Sequence, residues 1–379
     1  MRLEERLKEA YERTPPGQAG AYDRFLRLRA RSVRTVAAAA VLVLALAGLG
    51  PRLLAGQDRG VVRPPQPVPA APKLIARLTA HGPGSHTLAF SPDGKTLAVA
   101  GNHRITLWDL DRQTAIARLD AADAVAAVAF APDGRTLASS AYDRVVLWDL
   151  ASRARRATLP MGTFNIAGQL RFSPDGKFLA GGDGGGKLVL WDVARRSRLA
   201  ILSTGIGSIN DLAFRVDGRS VVVGGSGPGY SGRGDGVAII DLARRRRLPA
   251  LRLPAGSGSY TAVAFRPDGT ALAAVGSLQH DIAVWDVTRR TRLATLATPS
   301  QVLGVVLSRD GGLLAATNPR GEVTLWDVGR HAPLGPLPGF HPRREFFLSP
   351  RTGTFTDDGG RLAISDGTGS VFVWSTSNP

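Results

Sequence analysis

The chain has no cysteine, only two methionines and few aromatic side chains, 6% of its 379 residues. Without thiols it can form neither a disulfide framework nor a thiolate metal site, and it has no cysteine nucleophile. Lysine is scarce and arginine abundant, a bias typical of a GC-rich genome. The 45 glycines and 25 prolines stay below the share that marks a low-complexity chain. The composition therefore predicts a mostly globular protein with one large or two medium domains.

Basic residues outnumber acidic ones, 48 to 31, which gives a net charge of +17. Such an excess suggests an anionic partner, either a nucleic acid or a membrane surface. The excess is spread over the chain: residues 1–34 carry +4, residues 51–73 carry +3, and residues 74–379 carry the remaining +10. No single segment is therefore a polybasic tail.

Residues 35–51 form an apolar run of alanine, valine, leucine and glycine, and Leu53 and Leu54 can extend it past Arg52. We predict a single transmembrane helix over residues 35–54. More cations precede the run than follow it, which predicts a cytoplasmic N-terminus. A signal peptide cleaved after the Ala-Leu-Ala at 45–47 and a buried soluble helix are the alternatives.

The segments on either side of the apolar run differ in character. Residues 1–34 are predicted to be a basic cytoplasmic stub that begins with a short amphipathic helix over residues 1–13. Residues 55–73 contain five prolines and predict an extended, proline-rich linker.

A unit of about 43 residues occurs seven times between residues 74 and 379. Each copy has an apolar strand that ends in phenylalanine, an Asp-Gly pair that predicts a hairpin turn, and a later strand that ends in Trp-Asp. The phenylalanine-equivalent positions are Phe90, Phe130, Phe172, Phe214, Phe265, Leu307 and Phe355. The tryptophan-equivalent positions are Trp108, Trp148, Trp191, Ile240, Trp285, Trp326 and Trp374.

This pattern resembles the WD40 repeat family over residues 74–379 and suggests a membrane-anchored bacterial member. The resemblance implies an all-β fold, a seven-bladed WD40 β-propeller. The seventh unit ends soon after Trp374 without a fourth strand, whereas residues 74–80 match the fourth-strand text of the first unit. We therefore expect residues 74–80 to close the last blade and leave no open sheet edge.

Several polar positions of the family pattern are missing. The histidine that opens each repeat is present only at His81, and the aspartate five residues before the tryptophan only at Asp143 and Asp235. In two other units His103 and His280 occupy that place. We expect the side-chain network that links these positions to be mostly absent, with a loss of rigidity but not of the fold.

No group of residues has catalytic or metal-binding spacing. The six histidines fall in different units without an H-x-x-H pattern, and the turn aspartates repeat at a position that backbone geometry explains. The glycine-rich run at 181–186 lies between strands, not before a helix, which argues against a phosphate-binding loop. We predict a non-catalytic protein with no metal and no cofactor.

Arginines concentrate in the turn after each Trp-Asp pair. In a propeller this turn and the Asp-Gly turn lie on one face, and the closing strand starts there, so the face suits anionic lipid headgroups. Solvated arginines without a partner are the alternative, and nucleic acid is disfavoured because no aromatic residues are interleaved. The predicted membrane-facing rim comprises Arg155, Arg156, Arg195, Arg196, Arg245, Arg246, Arg289 and Arg290.

Two insertions, residues 225–236 and residues 338–351, are expected on the opposite face. The alternatives are flexible padding for the first insertion and packing of its own aromatics for the second. The channel-mouth positions are mostly small, so no pocket that grips a peptide is expected. The predicted partner-binding residues, of types enriched at binding hot spots, are Tyr230, Arg233, Phe340, Arg343, Arg344, Phe346 and Phe347.

Together these patterns predict a membrane-anchored, monomeric scaffold whose propeller lies outside the cytoplasm and binds unidentified protein partners. A transmembrane sensor that signals through the N-terminal stub is one alternative function. A propeller secreted after signal cleavage is the other.

Overall fold

The computed structural model describes residues 71–79, 87–141, 143–161, 168–226, 235–248, 251–252, 257–277, 281–340 and 352–376. The predicted stub, the predicted membrane helix and the linker up to residue 70 lie outside these ranges. Within them, no helix has the length and hydrophobicity needed to cross a bilayer.

The described residues form seven antiparallel sheets, here called blades 1 to 7. Blade 1 contains β2 (Thr87–Phe90), β3 (Thr96–Gly101), β4 (Arg104–Asp109) and β5 (Thr114–Asp120). Blade 2 contains β6 (Ala127–Phe130), β7 (Thr136–Ser140), β8 (Arg144–Asp149) and β9 (Ala154–Pro160). Blade 3 contains β10 (Gln169–Phe172), β11 (Phe178–Gly182), β12 (Lys187–Asp192) and β13 (Ser197–Ser203).

Blade 4 contains β14 (Ser208–Phe214), β15 (Ser220–Ser226), β16 (Asp235–Asp241) and a divided outer strand, β17 (Arg246–Arg247) and β18 (Leu251–Arg252). Blade 5 contains β19 (Ser257–Phe265), β20 (Ala271–Ser277), β21 (Asp281–Asp286) and β22 (Thr291–Ala297). Blade 6 contains β23 (Gly304–Leu307), β24 (Leu313–Thr317), β25 (Val323–Asp327) and β26 (Ala332–Pro336). Blade 7 contains β27 (Gly353–Phe355), β28 (Arg361–Ser365), β29 (Ser370–Ser375) and β1 (Lys73–Thr79).

The first strand of each blade is innermost, and these seven strands contact one another in a closed circle that returns from β27 to β2. The structure is therefore a seven-bladed β-propeller, as predicted from the repeats. The ring is closed by β1, which pairs antiparallel with β29 in a register that places Leu74 opposite Trp374 and Leu78 opposite Val371. The N-terminal strand thus completes blade 7 and covers its outer edge.

The hydrophobic core consists of seven clusters, each between two adjacent blades. Between blades 2 and 3, for example, Leu159 and Trp191 are fully buried. Removing one such aliphatic side chain from water contributes about 1.5–3 kcal/mol. Because every cluster needs two blades, the stability of a blade depends on its neighbours.

The tryptophans hold the blades with different polar partners. Trp148 Nε1 donates to Ser139 Oγ at 2.8 Å inside blade 2, and Trp191 Nε1 donates to the carbonyl of Pro160 at 3.0 Å. Three further indole nitrogens are buried and have no hydrogen-bond partner among the described residues, those of Trp108, Trp285 and Trp326. The polar surroundings of the indole nitrogen thus differ from blade to blade.

The Asp-Gly hairpin turn in blade 1 shows how the repeated sequence builds its geometry. The Gly94 N–H donates to the carbonyl of Ser91 at 2.9 Å, and Gly94 takes φ of 68°, a left-handed conformation that glycine adopts without steric cost. Asp93 Oδ1 accepts the Ser91 hydroxyl at 2.6 Å and the Lys95 N–H at 3.1 Å. These bonds, the hydroxyl first, hold the pKa of Asp93 below its usual value.

The turn after each Trp-Asp pair lies on the same face as the Asp-Gly turn. In blade 1 the Leu110 N–H, just after Asp109, donates to the carbonyl of Lys95 at 3.0 Å. Equivalent bonds join the two turns in the other blades, except that in blade 5 the acceptor, Ala271, lies one residue later; in blade 7 the bond runs from Thr376 to Gly360. We call the side of the ring that carries both sets of turns the Asp-Gly face.

Candidate binding surfaces

The Asp-Gly face carries a dense group of arginines in the Trp-Asp turns and adjoining outer strands of blades 2 to 5. All thirteen are exposed, whereas the same turns contain only four aspartates. We call this group the arginine arc. Its members are Arg153, Arg155, Arg156, Arg195, Arg196, Arg198, Arg244, Arg245, Arg246, Arg247, Arg289, Arg290 and Arg292.

The aspartates of these turns lie beneath the arginines and shape the backbone. Asp192 Oδ1 accepts the Arg195 N–H at 2.7 Å, while its Oδ2 pairs with the Arg195 guanidinium at 2.8 Å. The side chain of Asp192 is 10% exposed and that of Arg195 is 79% exposed. The backbone bond first, and then the guanidinium, keep the pKa of Asp192 below its usual value. The turn therefore presents positive charge outward.

One arginine in each of the four blades occupies a left-handed backbone position. The φ angles are 57° at Arg153, 54° at Arg196, 49° at Arg245 and 58° at Arg290. Within the described part of the chain, none of these four side chains makes a hydrogen bond or an ion pair. They are the unengaged cations of the arc that are also left-handed, one in each of blades 2 to 5.

Four of the other five predicted rim arginines, all except Arg246, have intramolecular side-chain contacts among the described residues. Arg289 pairs with Asp286 as Arg195 does with Asp192. Arg155 lies over the ring of Trp148, 5.8 Å from its centroid, and Arg156 Nη1 donates to Thr136 Oγ1 at 3.4 Å. Arg246 is exposed in β17. All eight predicted rim residues therefore lie on the Asp-Gly face, but only three, Arg196, Arg245 and Arg290, are left-handed and unengaged.

The arc does not continue around the ring. In blade 1 the turn contains Asp109, Asp111 and Arg112, and Gln113 takes the left-handed position. In blade 6 Asp327 is balanced by Arg330, and His331 takes that position. The Asp-Gly face is thus basic on one side and close to neutral on the other.

A cavity of about 510 Å³ opens at the centre of the same face. Its wall is mostly apolar, formed by the last residues of the inner strands and by the turns that follow them. The aromatic residues around it are Phe90, Phe130, Phe172, Phe214, Phe265 and Phe355. The cavity is the Asp-Gly end of the central channel.

Two charged residues inside this channel were missed by sequence reasoning. Asp211 in β14 is 5% exposed, and Arg171 in β10 places Nη2 4.0 Å from Asp211 Oδ1. Burial, only partly offset by Arg171, raises the pKa of Asp211 to about 6. An alignment of the seven units could have found Arg171, because the residue before the phenylalanine equivalent is uncharged in the other six.

Comparisons with known proteins agree with this architecture. The family "WD domain, G-beta repeat" (WD40) matches residues 72–109, 114–149 and 165–192. These segments cover the closing strand, blade 1 and the first three strands of blades 2 and 3, and the same blade architecture recurs around the closed ring. The chain thus contains WD40 repeats and folds as a seven-bladed propeller.

A solved structure entitled "Crystal Structure of Mitotic Checkpoint Complex" contains a chain similar to this WD40 propeller. The two share 21% sequence identity with a TM-score of 0.67, and the match covers 87% of this chain and 100% of the other. At that identity the likeness demonstrates a shared fold alone. No curated protein sequence matches this chain significantly.

Most of the predicted partner-binding residues of the WD40 propeller, Tyr230, Arg233, Arg343, Arg344, Phe346 and Phe347, lie outside the described residues. Phe340 is 6% exposed and packs edge-on against Phe372 and Trp374, with centroids 5.3 and 5.6 Å apart. Its ring belongs to the core between blades 6 and 7. Little of the Phe340 ring is therefore accessible to a partner.

Within the described ranges, histidine, aspartate and glutamate side chains form no cluster that could hold a metal ion. The aspartates of the WD40 turns are instead bonded to backbone N–H groups, as at Asp175, Asp268 and Asp358. Their geometry is that of turn formation.

Proposed function

We propose that this protein is a membrane-anchored WD40 scaffold that binds protein partners and has no catalytic activity. Residues 35–54 would be the anchor, residues 1–34 would lie in the cytoplasm, and the propeller would lie outside it. Residues 55–73 would act as the tether, and the propeller would be monomeric.

The observation that carries this proposal is that the repeated aspartates form the Asp-Gly turns. In each Asp-Gly turn the carboxylate accepts a backbone N–H, as Asp133 does from Arg135 at 2.8 Å and Asp310 from Gly312 at 3.0 Å. A carboxylate fixed in this way forms a turn and is not free to act as a general base. The closed ring thus offers rigid surfaces and loops, which suit recognition of other proteins.

The membrane anchor is supported by the sequence. The apolar run at residues 35–51 reaches the length that crosses a bilayer core when Leu53 and Leu54 extend it. Five arginines between residues 24 and 34 precede it, which favours a cytoplasmic N-terminus.

Single cysteines in this cysteine-free chain would test the topology. Gly184 lies in the hairpin between β11 and β12, in open space, so Gly184→Cys suits a membrane-impermeant maleimide. In intact cells we expect labelling of Gly184→Cys and none of Ala30→Cys, and both chains should resist extraction by alkaline carbonate. Labelling only after lysis would place the propeller in the cytoplasm. A soluble form that starts near residue 48 would indicate secretion.

Photo-crosslinking would test the scaffold function. A crosslinking amino acid at Phe346 or Tyr230 of the full chain should capture a defined protein, whereas the same group at Leu293, on the outside of blade 5, should not. Alanine at Arg343 and Arg344 should weaken the capture. A capture unchanged by deletion of residues 1–31 would also argue against signalling through the stub. Equal capture from Phe346 and Leu293 would contradict the proposal.

A further inference from the structure

We infer that the Asp-Gly face lies flat on an anionic lipid surface, attached at two opposite edges of the ring. One attachment is the tether, which enters at blade 7, and the other is the arginine arc. The inference rests on the proposed membrane anchor and specifies how the propeller is oriented.

The tether reaches the propeller on the Asp-Gly face. Lys73 begins β1 opposite Ser375, at the end of β29 that leads to the Asp-Gly face. Thr376, the next residue, donates its N–H to the carbonyl of Gly360 in the turn on that face. The chain that precedes β1 therefore reaches the propeller on the Asp-Gly face, at the outer edge of blade 7.

The arginine arc lies across the ring from the tether. In a ring of seven blades, the point opposite blade 7 lies between blades 3 and 4. The arc covers blades 2 to 5 and is centred on that point. A tether alone would leave the ring free to tilt, whereas a second attachment on the opposite edge of the same face holds it parallel to the surface.

The four left-handed arginines occupy positions where a side chain is unfavourable. All seven Asp-Gly turns place glycine at their left-handed position, with φ between 65° and 82°. The Trp-Asp turns of blades 2 to 5 need a similar φ but have arginine there, although a side chain in this conformation is unfavourable. Turn geometry alone does not account for arginine at Arg153, Arg196, Arg245 and Arg290. Attraction of exposed cations to anionic headgroups does.

Exposed apolar residues on the Asp-Gly face favour lipid over nucleic acid as the partner. The exposed residues at the second positions of the Asp-Gly turns are apolar in four blades: Pro92, Pro132, Val216 and Pro267. Val216 is 63% exposed, and no phenylalanine or tryptophan ring among the residues whose burial is described is exposed. An apolar centre beside a basic edge matches a lipid interface, whereas single-stranded nucleic acid is bound by exposed aromatic rings.

The test uses the full chain in vesicles of phosphatidylcholine, alone or mixed equally with phosphatidylglycerol. A fluorophore is placed on Ala194→Cys in the arc, or on Gly184→Cys at the far side of the same blade, and an energy acceptor on the lipid headgroups. With phosphatidylglycerol we expect transfer from residue 194 to exceed that from residue 184 by at least about twofold. The excess should disappear in phosphatidylcholine alone or in high salt, which screens surface charge.

The charge requirement is tested with two variants that each remove four cations. R153G/R196G/R245G/R290G should abolish the excess transfer from residue 194, because glycine accepts the left-handed turn. R104Q/R118Q/K187Q/R320Q, whose substitutions lie on exposed positions away from the Asp-Gly face, should retain it. Equal transfer from the two labels, or no dependence on phosphatidylglycerol, would overturn the inference.

Failure of the proposed membrane anchor can be distinguished from failure of the lipid inference. If alkaline carbonate extracts the full chain from the vesicles, the anchor of the proposed function fails, whichever face approaches the lipid. If the chain stays anchored and binds single-stranded RNA through the four arginines, while transfer ignores lipid charge, the arc is a nucleic-acid surface and the lipid inference is wrong.

Discussion

Asp211 Oδ2 accepts the backbone N–H of Val263 at 3.0 Å across the interface between blades 4 and 5. Its Oδ1 accepts the N–H of Leu212 at 2.9 Å and lies 4.0 Å from the guanidinium of Arg171 in blade 3. One buried carboxylate thus connects the inner strands of three blades. Breaking such a connection in a buried site is costly, because a polar group is left without a partner.

The ionisation of Asp211 should make stability depend on pH. Burial raises its pKa from 3.8 to about 6, so the folded state holds this proton more tightly than the unfolded state. Its stabilising contribution is complete below the unfolded pKa and is lost as the pH rises through about 6. Asp211→Asn keeps an acceptor oxygen and cannot ionise. Because Asp211 accepts two backbone N–H groups and asparagine has a single acceptor oxygen, the variant loses one of these bonds, at a cost of about 1–3 kcal/mol at acid pH. Between pH 4 and pH 7 its stability relative to the wild type should rise by about 2–3 kcal/mol, because it carries no buried charge.

Urea unfolding between pH 4 and 7 measures this effect as the difference between wild type and Asp211→Asn. The variant should be the less stable protein at the acid end, and its stability relative to the wild type should rise steadily towards neutral pH. Arg171→Gln is a second variant. Loss of the guanidinium removes an interaction that lowers the pKa of Asp211, so this change should raise that pKa further. A constant difference across the range would argue against the titration of Asp211.

Loss of the hydroxyl beside Trp148 should destabilise blade 2. Ser139 is 3% exposed and accepts the Trp148 indole N–H at 2.8 Å, so Ser139→Ala leaves a buried donor unpaired. The expected cost is about 1–3 kcal/mol in the free energy of unfolding, measured by urea denaturation. Ser203→Ala, at an exposed position of β13, should change stability by less than about 0.5 kcal/mol. Equal effects of the two changes would contradict the role of this bond.

The ring and its closure could be predicted because Asp-Gly and Trp-Asp repeat at a regular distance, and each pair specifies a local turn. Asp211 and Arg171 escaped prediction because each occurs in one unit only, and their contact depends on which inner strands become neighbours. The arc was predicted from turn position. Its division into paired and unengaged arginines was not, since that depends on which residue adopts the left-handed conformation.

Replacement of Arg196 by glycine should stabilise the protein, whereas most substitutions destabilise a protein, because it relieves backbone strain. Arg196 has φ of 54°, which costs a non-glycine residue roughly 1–2 kcal/mol, and glycine gives back about 0.5–1 kcal/mol through its more flexible unfolded chain. Arg196→Gly should therefore raise the free energy of unfolding by up to about 1 kcal/mol. Its neighbour Arg195 is the control: Arg195→Gly loses the ion pair with Asp192 and should lower stability. The result to look for is opposite shifts in the urea midpoint.

Closure of the ring by the N-terminal strand can be tested at Leu78. This residue is 2% exposed, lies opposite Val371 in β29, and packs with Leu97 and Val99 between blades 7 and 1. Leu78→Ala removes apolar contacts at the point where the circle closes and should cost about 2–5 kcal/mol in the free energy of unfolding. Leu293→Ala, at a side chain that is 41% exposed on the outer strand of blade 5, should cost far less. Equal urea midpoints for the two variants would mean that β1 contributes little to the ring, whereas a selective loss at Leu78 would show that closure stabilises it.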